Sequence, residues 1–304
     1  MSLAGRSIAL PRSHGARRAP WIDWMVLPAM GALALVIGYP IVDTLVLSTE
    51  RYNLADVAPA RFVGAANYRQ LVFDPIFWQA LENTALFSFG SVAAASFIGL
   101  LLAFLCEDLA RRHRWVGSLL LTPWAVPFVV TAFLFRFMYL QTGGVINALL
   151  LHLGIVGQPV PWLNSSALAL MSISIANVWA MTPFFFLLLS AALAGIPAEV
   201  IESARVDRAG LWSMAYEIKL PFLKNALIIG SLLMIISNFN DFAKIWAMTQ
   251  GGPGYSTTTL VVYVYRVAFE SFNFGYASAV GVVWLLLLLG FAVLYLKALG
   301  VERR

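Results

Sequence analysis

Residues 199–221 read E-V-I-E-S-A-R-V-D-R-A-G-L-W-S-M-A-Y-E-I-K-L-P, the one long polar island in the second half of an otherwise apolar chain. A helix beginning at Pro197 is compatible with the ring, because the first helical position has no use for an N–H. Glu199 and Glu202 then fall in the first turns, where the helix dipole favours negative charge, and Gly210 is placed to close the helix in a left-handed cap. These positions predict three to four turns, about 20 Å at 1.5 Å per residue. Such a helix is too short and too charged to cross a bilayer. It belongs on the surface, between two spans.

Composition fixes the setting. The chain is 61% hydrophobic and 12% charged, far from the roughly 45–50% and 25% of soluble domains. It is therefore a polytopic membrane protein. A net charge of +5 does not imply nucleic acid, because basic residues on cytoplasmic loops give the same balance. Cys106 has no partner for an internal disulfide, and His14, His113 and His152 are scattered without ligand spacing, so metal and redox chemistry have no support.

Six stretches reach the roughly 20 apolar residues that a spanning helix needs: 24–47, 83–105, 115–140, 167–193, 222–247 and 275–296. The fold class is all-α, with about six transmembrane helices in a permease domain over 21–298, a basic tail over 1–20 and a short tail over 299–304. With both ends inside, 14 Lys and Arg fall on cytoplasmic segments and four (Arg51, Arg61, Arg69, Arg266) outside, which places both termini and the polar island in the cytoplasm. The outer loops, 48–78, 141–166 and 248–274, are long, and Gly251-Gly252-Pro253-Gly254 breaks regular structure. A docking surface and a plain connector are both open for them.

The island resembles the cytoplasmic signature of permease subunits of bacterial ATP-binding-cassette importers for carbohydrates, the maltose-type sugar permeases: Glu202-Ser203-Ala204, Asp207-Arg208 and Ile218-Lys219-Leu220-Pro221. Similar matches run along almost the whole chain. They include Phe62-Val63-Gly64 with Asn67-Tyr68, Phe77-Trp78, Asn83-Thr84, Pro123 with Pro127, Gly143-Gly144 with Asn147, and Trp162-Leu163. Trp179 with Pro183-Phe184, Asn238 to Phe242, Gly251-Gly252-Pro253, Thr257 to Thr259 and Tyr263 to Phe269 complete them. Two positions depart: serine stands at Ser203 where the family has alanine, and Arg208 stands where it has glycine. Arginine adopts a positive φ with difficulty, so the cap is expected to move to Gly210.

The resemblance implies a type I importer fold with a coupling helix between spans four and five. It also implies a second homologous permease, a dimeric ATPase, an extracytoplasmic solute-binding protein and a carbohydrate as partners. Glu202, Ala204, Asp207 and Gly210 become the residues that couple to the ATPase. The sequence contains no G-x-x-x-x-G-K-[ST], the loop that cradles nucleotide phosphates. ATP and Mg are accordingly expected in the partner ATPase, with no cofactor and no catalytic residue in this chain, which is read as residing in the inner membrane.

Ionisable groups inside a span are costly and mark function by default. Asp241 and Lys244 lie three apart, so on a continuous fifth helix they share a face. Asn238 and Asp241 with Phe239 and Phe242 offer the hydroxyl partners and flat apolar surfaces that a sugar needs. The resemblance adds Asn177, Ala180, Met181 and Phe184 on span four to that site. A purely structural Asp241–Lys244 pair is the other reading. Arg136, Asp43 and Glu82 are read as interface anchors. The small residues Gly275, Ala277, Ser278, Ala279 and Gly281 suit close packing, within the chain or against a second subunit. An ion-coupled secondary transporter is the alternative function, weakened because the halves show no inverted repeat.

Overall fold

The structure, a computed structural model, describes residues 20–56, 59–107, 109 and 113–298. The two tails, Pro20 apart, and Arg111 and Arg112 lie outside the described residues. Among the described residues, five helices are long and apolar enough to cross a membrane, and a sixth span follows if one bent pair is counted as a unit.

Span one is α1 (Pro20–Leu33), a π-helical turn over Ala34–Gly38, and α2 (Tyr39–Ser48). It ends in an antiparallel ribbon, β1 (Glu50–Arg51) with β2 (Arg61–Phe62), Glu50 opposite Phe62. The short α3 (Ala66–Val72) follows. From it, Asn67 donates 2.9 Å bonds to the carbonyls of Ser48 and Glu50, and the Tyr68 hydroxyl meets Ser48 Oγ at 2.6 Å.

Span two, α4 (Pro75–Leu105), begins eight residues before the position expected from hydropathy. Asp74 and Pro75 set that start. The Asp74 carboxylate accepts from Ile76 N at 2.9 Å, and Pro75 fills the first turn without leaving an N–H unpaired.

Span three is not the single helix expected over 115–140. It is α5 (Arg114–Ala125) and α6 (Phe128–Met138), set at 88°. Pro127 forces the preceding Val126 into an extended conformation, φ −79° and ψ 126°, and a helix cannot run through that residue. The next loop holds α7 (Val145–His152), and span four is α8 (Ala169–Ala194). α4 and α8 form the most extensive helix pair. They close on each other at Gly99, where a Cβ would sit 2.5 Å from that of Phe185. Val92, Ala95, Met181, Phe185, Leu189 and Leu223 make the buried core there.

The polar island divides between two elements. Its first half is α9 (Ala198–Val206). Its second half is the start of span five: α10 (Leu211–Ser213), a π-helical turn over Met214–Lys219, and α11 (Leu220–Phe239). Span five therefore begins at Leu211 rather than Phe222, and it stops at Phe239 rather than Ala247. A separate helix, α12 (Phe242–Thr249), follows. Asn240 folds back onto the Ile236 carbonyl at 2.8 Å and Asp241 caps Lys244 N at 3.2 Å, so both side chains compete with the helical ladder. After α13 (Leu260–Tyr265) and a π-helical turn over Arg266–Glu270, span six is α14 (Phe274–Ala298).

The small-residue face of α14 turns first toward this chain. A Cβ on Gly275 would lie 2.2 Å from the Glu50 carbonyl, and Ala277 and Ala279 are buried. Its other end is open, with nothing within 4 Å of a Cβ on Gly281.

Candidate functional site

The helix α9 has nine residues, shorter than the three to four turns expected. Pro197 is its N-cap, φ −56° and ψ 137°, rather than its first residue. Its C-terminus is closed by two bonds, from Ala209 N to Ala204 O at 2.9 Å and from Arg208 N to Arg205 O at 3.0 Å. That pair is a Schellman cap, and the residue that must be left-handed in it is Arg208, at φ 57°. The expectation that Gly210 would take this role is corrected. Gly210 has φ −70° and ψ 170° and instead caps the start of α10. A left-handed non-glycine residue costs about 1–2 kcal/mol, and here two carbonyls gain partners in return.

On α9, Glu199, Glu202, Ser203 and Asp207 are exposed, whereas Ala204 is buried. The signature alanine thus seats the helix on the body while Glu199, Ser203 and Asp207 are exposed and Glu202, though exposed, borders the cavity shared with Glu107 and Lys219. Val206 at the end of α9 and Leu211 and Trp212 beyond its cap are 81%, 91% and 78% exposed. At the root of span five, Lys219 Nζ lies 2.5 Å from Glu107 Oε2, which follows α4.

A second site lies deep among the spans. Asn177 on α8 donates to Asn238 Oδ1 on α11 at 3.2 Å, and Asn238 Nδ2 reaches the Ser88 carbonyl on α4 at 3.5 Å. Lys244 Nζ on α12 donates to Asn177 Oδ1 at 2.6 Å and pairs with Asp241 Oδ2 at 2.5 Å. It also stands 4.6 Å from the Phe128 ring centroid at the start of α6. Lys244 is 3% exposed and Asn177 is fully buried. Burying an unpaired ammonium is prohibitive, and here the carboxylate, the amide oxygen and the ring satisfy it. Asp241 and Lys244 do pair as their spacing predicts, but through the cap of α12 rather than along one face of a continuous helix.

Of the predicted site residues, Asn177, Asn238 and Asp241 therefore join one network, with Lys244 as its hub. Ala180 and Met181 are buried one turn along α8, and Phe184, half-buried, lies 6.3 Å from Trp124. Phe128 and Ser88 are not among the residues expected from sequence; Pro127 is the available signal for the first, and nothing marks the second. Ser88 Oγ, Ser91 Oγ and Thr131 Oγ1 are buried and make no hydrogen bond among the described residues.

The long loops between the spans are held by buried side chains. Asn83 donates to the carbonyls of Tyr255 and Thr258 at 3.0 and 2.9 Å, and Thr84 Oγ1 accepts from Leu260 N at 2.8 Å. Asn147 accepts from Val160 N at 3.0 Å and Trp162 Nε1 at 3.1 Å, and donates to the Val160 carbonyl at 2.9 Å. Asp74 accepts from the hydroxyls of Tyr263 and Tyr276. Burial pushes the Asp74 carboxyl up, but these hydroxyls and the N–H groups of Ile76 and Phe77 outweigh it and hold it below its ordinary value. Arg136, read as an anchor, donates to the Ala247 carbonyl at 2.9 Å and so holds α12. Asp43 and Glu82 are exposed.

No protein-family model matches the chain. It is 35% identical, over 90% of its length and 88% of the relative's, to the sulfoquinovosyl glycerol transport system permease protein SmoG of Agrobacterium fabrum. It is 33% identical to the trehalose/maltose transport system permease protein MalF of Thermococcus litoralis, over 90% of this chain and 91% of that one. The diacetylchitobiose uptake system permease protein DasB of Streptomyces coelicolor is 29% identical over 96% of this chain and 90% of its own. Among solved structures, a bacterial ABC transporter involved in the import of the acidic polysaccharide alginate superposes with a TM-score of 0.79 at 20% identity, over 93% of this chain and 96% of that one. The fold is shared across that distance.

Proposed function

Because this chain belongs to the permease subunits of carbohydrate ATP-binding-cassette importers, we propose that it forms half of an inner-membrane pathway that carries a sugar, oligosaccharide or polyol into the cytoplasm. A second homologous permease completes the pathway, a solute-binding protein delivers the substrate from outside, and a dimeric ATPase holding ATP and Mg drives it. Both termini and α9 face the cytoplasm in this reading. The observation that carries it is the agreement with carbohydrate permeases over nine-tenths of the chain.

The helix α9 is the coupling helix. Its exposed Glu202 and Asp207 meet the ATPase, Ala204 seats it, and Gly210 starts the helix that continues into span five. This division of labour follows from exposure on one side and burial on the other. Force arrives at α9 and acts at the spans.

The substrate passes the region of Asn177, Ala180, Met181, Phe184, Asn238 and Asp241. Two amides, a carboxylate and the Phe184 ring supply the donors, acceptors and flat face that polyhydroxyl compounds need. In the closed network the amides bond one another, so the sugar has to replace those bonds with its own hydroxyls. Asn238→Ala is expected to lower uptake while the complex still assembles.

The function is tested by reconstitution in proteoliposomes. The complete complex should accumulate radiolabelled sugar only with ATP and binding protein, and this chain alone should accumulate none. Accumulation driven by an ion gradient, without ATPase, would establish a secondary transporter instead.

A further inference from the structure

The backbone ties α9 to the spans at both ends, but its side chains also face the body across a cavity of about 450 Å3. The cavity walls carry two acids and two bases. Glu202 and Arg205 come from α9, Glu107 follows α4, and Lys219 ends the π-helical turn. Glu202 and Arg205 are three residues apart and share a helix face.

Lys219 is held by Glu107 at 2.5 Å, with both side chains 19% exposed. Its ammonium also lies 6.0 Å from the Phe104 centroid. An ammonium is a compact charge on a flexible four-carbon stem, so it can move from one carboxylate to another without a change of fold. The turn that carries it is already loosened, because Pro221, two residues on, brings no N–H to the helical ladder. Glu202, on α9, lines the same cavity and provides the second carboxylate.

We propose that Lys219 is a positioning residue that passes movement of α9 to the spans by exchanging Glu107 for Glu202 across this cavity. The inference rests on the reading of α9 as the coupling helix. When α9 presses toward the body, Glu202 draws Lys219 away, and the cytoplasmic end of span two is released from the root of span five. When α9 withdraws, Glu107 recovers the ammonium.

The test is ATP hydrolysed per sugar imported by the complete complex in proteoliposomes, with Lys219→Gln, Glu107→Gln and the charge swap Glu107→Lys with Lys219→Glu. Each neutral variant is expected to raise that ratio about five-fold or more, the lower end of what a coupling contact carries. The swap separates exchange from a fixed strut. It rebuilds the ion pair but sets a carboxylate at the root of span five against that of Glu202, so assembly should be wild-type while the ratio stays raised. A wild-type ratio in the swap, or in Lys219→Gln alone, overturns the inference and leaves the importer function standing. A wild-type complex that imports without ATP overturns both.

Discussion

The two ends of the molecule are built in opposite ways. At the end that carries the long loops, Asn83 and Asp74 gather partners from far along the chain and Asn147 from within its own loop, and all of those bonds are wholly or partly buried. At the opposite end, α9 holds its shape with its own cap and buries only Ala204, and among the described residues the Lys219–Glu107 pair links the neighbouring spans. Cooperative opening free energies follow buried contacts. The loop end is therefore a frame, and the α9 end, the lever of the proposed coupling, has few attachments.

The largest effect should come between these ends, at Lys244. Lys244→Met leaves Asp241 buried without its cation, a loss of about 3–5 kcal/mol. The midpoint of thermal unfolding in detergent should fall by far more than in Lys244→Met with Asp241→Asn, where no charge is stranded. Equal falls would show that the pair is not coupled.

Next comes the frame. Asn147→Ala orphans Val160 N and Trp162 Nε1, and at about 1 kcal/mol for each net bond the loss is roughly 2–3 kcal/mol. Hydrogen exchange should rise in 141–166 and stay unchanged in α9. A uniform rise would erase the distinction between the ends.

Asp74 predicts a pH dependence. Its folded pKa is lowered, so the folded state binds fewer protons than the unfolded one through that window. The stabilisation is present above the ordinary carboxylate range, about 4, and is lost as pH falls through the folded pKa. Asp74→Asn should remove this share of acid lability in a melting series from neutral pH downward, and Tyr263→Phe should reduce it.

The smallest effect concerns the cap. Arg208→Gly should stabilise α9 by about 1 kcal/mol, because glycine adopts the left-handed conformation freely, whereas Gly210→Ala, at a negative φ, should be nearly neutral. The reverse order would return the cap to Gly210.

Much of this arrangement is legible in the chain. The apolar stretches give the spans, and residues quoted for the resemblance, Asn83 with Thr258 and Asn147 with Trp162, meet as direct hydrogen-bond partners. What escapes is where helices break. Hydropathy sees apolar residues through 115–140 and 222–247 and is blind to the right angle at Pro127 and the interruption at Asn240 and Asp241. Prolines are tolerated in membrane helices often enough that one alone does not signal a break. The left-handed Arg208 is hidden for a similar reason, since its conformation is set by the cap in which its own N–H and that of Ala209 each satisfy a carbonyl, rather than by its own preference. Asn177, Asn238 and Asp241 are visible as polar residues in apolar runs, but their convergence on Lys244 depends on the break before α12.

The lever itself is measured by sugar uptake against ATP hydrolysis in the complete complex carrying Glu202→Lys. Uptake should be lost while the chain stays inserted, whether the ATPase remains attached and hydrolyses ATP to no effect or fails to attach at all. Wild-type uptake at the wild-type ratio of ATP to sugar would contradict the lever.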